Sequence, residues 1–98
     1  MNATLPENPA PPNRDLLLRE VRYRCSYRST LELDNICRSL LPDLETLETS
    51  ELEAIRNLLL QNENLLQRWL VEHHTPPPEW QLQVALLKHY FKKNYQQK

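Results

Sequence analysis

Apolar residues recur along this chain at helical spacing, and no stretch alternates as a half-buried strand would. Leu33, Ile36, Cys37, Leu40 and Leu41 follow the i, i+3, i+4, i+7, i+8 rhythm of one buried helix face. Leu52, Ile55, Leu58 and Leu59 repeat it, as do Leu65, Leu66, Trp69 and Leu70. Trp80, Val84, Leu87 and Phe91 form a fourth stripe. A weaker one, Leu17, Val21 and Arg24 beside Leu18, Cys25 and Arg28, precedes them. The pattern therefore predicts an all-α chain, a compact bundle of five short helices over residues 14–93.

Polar signals set the boundaries. Residues 1–13 hold Pro6, Pro9, Pro11 and Pro12 and read as a flexible leader; residues 94–98 read as a frayed tail. Asn13 is placed as the N-cap of the first helix, with Asp15 in its first turn and its end near Tyr27-Arg28. Ser29 and Glu32 have capping-box spacing, so Ser29 is expected to open helix two and Glu32 to reach back to it. Pro42 is expected to close that helix. Helix three starts around Glu48 to Ser50, and Asn62 or Asn64 caps helix four, which ends by His74. Thr75-Pro76-Pro77-Pro78 forms a rigid connector into helix five, with proline in the first turn.

Composition narrows the function classes. Ninety-eight residues make one small domain, with little room for both a core and a cofactor cleft. Lys+Arg 12 balance Asp+Glu 13, so no overall field favours nucleic acid or a membrane surface. Glycine is absent, which removes Gly-rich phosphate loops and argues against tight binding of a dinucleotide. Cys25 and Cys37 fit neither a disulfide framework nor a metal motif and read as reduced thiols; no secretory signal or membrane span is read. His73-His74 are neighbours pointing about 100° apart on a helix, a poor metal pair. Trp69 and Trp80 read as core.

The corner between helices one and two is less easily explained by packing. Tyr23-Arg24 and Tyr27-Arg28 lead into Ser29, Glu32 and Asp34. An Arg28–Glu32 ion pair and a Ser29–Glu32 box would account for part of it. They leave two Tyr-Arg pairs unexplained, and Arg and Tyr dominate interface energetics. The corner is expected to expose an arginine, two aromatics and two carboxylates as a recognition surface.

The run Tyr23-Arg24-x-x-x-Arg28-Ser29-x-x-Glu32-x-Asp34 resembles the succinate dehydrogenase FAD assembly factor family, whose members carry Arg-Gly-x-x-Glu-x-Asp here. The likeness continues through Leu58-Leu59, a polar turn, and Leu65-x-x-x-Trp69-Leu70-x-x-His73, spanning about residues 14–93. It implies a small five-helix protein that is not an enzyme. Such a protein binds the flavoprotein subunit of succinate dehydrogenase or fumarate reductase and promotes covalent attachment of FAD to a histidine of that partner. FAD belongs to the partner and is not bound tightly by the factor. Arg28, Ser29 and Glu32, flanked by Tyr23, Arg24, Thr30 and Asp34, would form the partner surface, with Arg28 inserting toward the flavoprotein. A monomer in the bacterial cytoplasm is implied. Ser29 stands in place of the family's glycine, where a side chain would weaken a flush contact. The acidic turn before helix four is reduced to Glu63 between two asparagines. The competing readings are an all-α interaction module with another client and nucleic-acid binding by the Arg- and Tyr-rich first helix. Partners recovered from extract would separate the first, steep salt dependence the second.

Overall fold

A computed structural model describes residues 14–26 and 28–96. The leader at 1–13, Tyr27 and residues 97–98 lie outside them. Among the described residues there are five α-helices and no strand: α1 Arg14–Arg24, α2 Leu31–Arg38, α3 Thr49–Leu59, α4 Glu63–Leu66 and α5 Pro78–Phe91. α4 continues as a π-turn over Gln67–Val71, and α5 as another over Lys92–Gln96. The all-α bundle expected from the apolar rhythm is what forms. No helix among the described residues is long and apolar enough to cross a membrane.

The predicted stripes supply the core. Leu33, Ile36, Cys37 and Leu40 of the second stripe are buried, as are Leu52, Ile55, Leu58 and Leu59 of α3. Leu66, Trp69 and Leu70 join them, with Val84 and Leu87 of α5; Trp80 and Phe91 pack half-buried at the margin. α1 packs chiefly on α3, and α5 lies against both α2 and α3. Burying a leucine side chain of this kind contributes about 1.5–3 kcal/mol, which is what holds such short helices.

Four boundaries differ from expectation. α1 stops at Arg24 rather than near Arg28. α2 stops at Arg38, and Pro42 does not close it; Pro42 sits in the first turn of a 3-10 segment, Leu41–Thr46, where its missing N–H is harmless. The cap of α2 moves by one residue, as described below. α4 leaves the regular helix at Gln67, and the π-turn that continues it ends at Val71 with Glu72 as its cap, just before His73, whose φ is 62°. Glycine usually takes such a left-handed end position, and this chain has none. His is among the residues that tolerate it.

Polar ties fix the ends. The Arg14 guanidinium donates to the Glu45 and Leu47 carbonyls (3.1 and 2.6 Å) and to Thr49 Oγ1, anchoring the start of α1 before α3. Glu51 accepts from the Glu48 N–H at 2.9 Å and closes the first turn of α3. Asn94 donates to the Ser39 carbonyl and the Asp43 carboxylate, which also pairs with Lys93 at 2.9 Å. The helical path thus continues past residue 93, and the hydrogen bond from Asn94, then that from Lys93, holds the Asp43 carboxyl below its ordinary pKa.

Candidate functional site

The corner between α1 and α2 is built around one guanidinium. After Arg24 the chain leaves the helix, and Arg28 folds back under it. Its Nη1 donates to the Arg24 carbonyl at 2.8 Å, and its Nη2 to the Leu59 carbonyl at 3.1 Å. These carbonyls close the C-terminal ends of α1 and α3, where helix dipoles favour a cation. Nη2 also pairs with Glu63 Oε2 at 2.7 Å. Glu63 lies in the first turn of α4, where a carboxylate is favoured. One arginine therefore joins the C-terminal ends of α1 and α3 directly and the first turn of α4 through Glu63.

This corrects the expectation of an exposed arginine. The Arg28 side chain is only 8% exposed, and its carboxylate partner is Glu63, not Glu32. Its Nε is buried and has no hydrogen-bond partner among the described residues. The separation of 35 residues between Arg28 and Glu63 puts the pair beyond any local sequence rule.

Ser29 also answers to Glu63. Its N–H and its hydroxyl both donate to Glu63 Oε1, at 3.2 and 2.7 Å. The Ser29–Glu32 capping box does not form. Thr30 is the N-cap of α2: its backbone is extended (φ −121°, ψ 157°), and its Oγ1 accepts from the Leu33 N–H at 3.2 Å. The Thr30 hydroxyl donates in turn to Gln67 Oε1 at 3.1 Å, tying α2 to the end of α4. Two adjacent hydroxyls compete for the cap, and the carboxylate across the fold takes one of them. Among the described residues only His73 has a positive φ, so Ser29 holds its place without a conformation that needs glycine. Replacing Ser29 by Gly is expected to lower stability by about 1 kcal/mol in urea unfolding, through loss of a charge-assisted bond at a solvent-facing site.

Asp34 completes the clamp. Its Oδ1 accepts from the Arg28 N–H at 3.3 Å, and its Oδ2 from Arg38 Nε at 2.9 Å, one turn later. The corner backbone is thus held by Glu63 on one side and Asp34 on the other.

The remaining expected residues flank this clamp. Tyr23 is 70% exposed, and Glu32 is exposed with no ion pair among the described residues. Arg24 turns along α1 instead: its Nε bonds Glu20 at 2.9 Å, and Glu20 meets Arg56 of α3 at 3.6 Å. The Arg24 hydrogen bond is the main reason the Glu20 carboxyl titrates below its ordinary range. Leu31, 73% exposed, lies next to the cap, and Leu60 follows the carbonyl that Arg28 holds. Of the seven residues singled out from sequence, the fold joins Arg28, Ser29, Thr30 and Asp34 directly. It leaves Tyr23 and Glu32 facing solvent, and sends the Arg24 side chain to the α1–α3 seam. Sequence reasoning missed Glu63 and Gln67 as partners; the one available signal was a lone carboxylate between Asn62 and Asn64.

Beneath the corner, Cys25 and Cys37 are fully buried. Burial pushes the Cys25 thiol up to about 12 and raises that of Cys37 further, so both remain neutral thiols at physiological pH. No cluster of potential metal ligands occurs among the described residues.

Fold and site define a small all-α protein whose chemistry-bearing residues build a hydrogen-bonded helix corner flanked by exposed Tyr23 and Leu31. The chain belongs to a family described as the flavinator of succinate dehydrogenase, whose model matches residues 19–91, from the middle of α1 to the end of α5. That span contains the whole clamp. No curated protein and no solved structure matches the chain.

Proposed function

We propose that this protein is an assembly factor that binds the flavoprotein subunit of succinate dehydrogenase, or of fumarate reductase, and promotes covalent attachment of FAD to it. The observation that carries this reading is the family match over residues 19–91, which takes in the entire Arg28–Glu63 corner. The factor acts as a monomer in the bacterial cytoplasm and is not itself an enzyme. FAD remains the partner's cargo; a chain without glycine offers no phosphate cradle of the usual kind.

In this reading each residue has a task. Glu32, Ser29, Leu31 and Tyr23 present the surface that meets the flavoprotein. Arg28 supports it from below, by fixing the corner backbone through Glu63 and the two helix ends. Thr30 and Asp34 hold the start of α2 in register with it. Arg24 contributes its carbonyl to Arg28 and its side chain to the α1–α3 seam. A corner fixed before binding loses little conformational entropy when the partner arrives. The factor then holds the flavoprotein in the arrangement in which the partner's own residues join flavin to histidine, and positioning of that kind lowers a barrier without any new reactive group.

The test is coexpression with the flavoprotein subunit from the same genome, in a host lacking its own factor. Covalent flavin is read as fluorescence of the denatured subunit. Signal that requires this protein is expected. A subunit that acquires the same flavin with and without it, both proteins being folded, overturns the reading.

A further inference from the structure

A groove away from the clamp has no role so far. It runs between α2, α5 and the end of α4, with a volume of about 490 Å³. Ile36 and Leu70 form its buried floor, and Val71 and Phe91 its half-buried walls. A second hollow of about 300 Å³ continues from it, sharing His73 and Lys88 and reaching Pro76 and Gln81. The two hollows adjoin at these residues, which gives the groove a length that suits an extended chain.

The rims are polar and unequal. Lys88 of α5 and Lys92 of the π-turn that continues it stand one turn apart, and neither has a carboxylate partner among the described residues. Lys93 behaves differently: it pairs with Asp43 at 2.9 Å and lies 5.5 Å from the Tyr90 ring. The opposite rim carries Glu32 and Asn35 of α2, and His73 closes the end. Among the described residues Glu32 is the one carboxylate lining the groove, against two ammonium groups.

We propose that this groove receives an extended segment of the client flavoprotein in which an acidic side chain, paired with Lys88 and Lys92, accompanies a bulky apolar side chain seated on Ile36, Leu70 and Phe91. The identity of the client rests on the proposed function; the chemistry of the segment rests on the groove. Two unpaired cations over an apolar floor select an acidic-apolar pattern, because a basic segment would meet like charge. Glu32 and Asn35 line the other rim, where a carboxylate and an amide can bind the segment's backbone N–H groups. Glu32 thereby links the groove to the corner, so one client could be held at both.

The experiment measures the Kd of the purified factor for the flavoprotein subunit. Reversal of both lysines (K88E/K92E) is expected to weaken binding by about 10- to 100-fold, since like charges would then face each other. Neutralisation (K88Q/K92Q) should weaken it less and flatten its salt dependence. Thermal melts of both variants show whether the fold is kept, and the neutral pair guards against a folding defect in the reversed one. A photo-crosslinker at Val71 is expected to label one client segment that contains Asp or Glu. Binding changed by less than about twofold in both variants overturns the groove proposal while wild-type binding upholds the assembly reading. Crosslinking to a second copy of the factor, or to a client segment without acid, overturns it too. A wild-type factor that binds no flavoprotein removes both.

Discussion

Replacement of Glu63 by Ala is expected to cost about 2–4 kcal/mol in urea unfolding, a large share of the roughly 5–15 kcal/mol that stabilises a domain of this size. The reason is an asymmetry of burial. The Arg28 side chain is 8% exposed and that of Glu63 39%. Removing Glu63 strands a guanidinium where little water reaches it and frees the Ser29 N–H and hydroxyl as well. Removing the charge of Arg28 leaves a carboxylate that water can reach, so its penalty is discounted by solvent. Arg28→Met keeps most of the stem's packing and is expected to cost less than Glu63→Ala, about 1–2 kcal/mol. The opposite order would show that the helix-end carbonyls, not the ion pair, hold the corner.

The same asymmetry explains what could be read from sequence and what could not. Apolar periodicity located the helices because each stripe must find a core: Leu52, Ile55, Leu58 and Leu59 are buried as their spacing requires. Local signals failed where a distant group decided the outcome. Ser29 and Thr30 are equal candidates for the cap of α2 by chemistry. Glu63, 34 residues on, engages Ser29 and leaves Thr30 to cap. Arg28 stands out by its local pattern, yet its burial depends on where α3 ends and α4 begins. Pro42 signals a helix end by local rules, though it serves equally in the first turn of a 3-10 segment. The left-handed position at His73 left no trace, because the residue that usually announces it does not occur in this chain.

Glu32 gives the sharpest separation of function from folding. It is exposed, stands in the first turn of α2, and makes no ion pair among the described residues. Replacement by Gln keeps its shape and removes only a charge near a helix N-terminus, a change of less than about 1 kcal/mol in stability. Its expected effect on the assembly role is far larger. The proposed partner surface and the groove meet at this side chain, and a carboxylate desolvated against a partner's donors makes hydrogen bonds worth about 1.5–3 kcal/mol. Binding to the flavoprotein subunit should therefore weaken by about tenfold or more, and covalent flavin should fall in step when the factor is limiting. Unfolding curves, Kd and flavin fluorescence on the same preparation decide the matter. A Glu32→Gln protein as stable as wild type that binds and flavinylates equally well would place the contact surface elsewhere. It would also confine the corner's role to holding the ends of α1, α2, α3 and α4 together. Unchanged stability with lost binding would instead put Glu32 at the contact itself, with Arg28 and Glu63 as the frame that presents it.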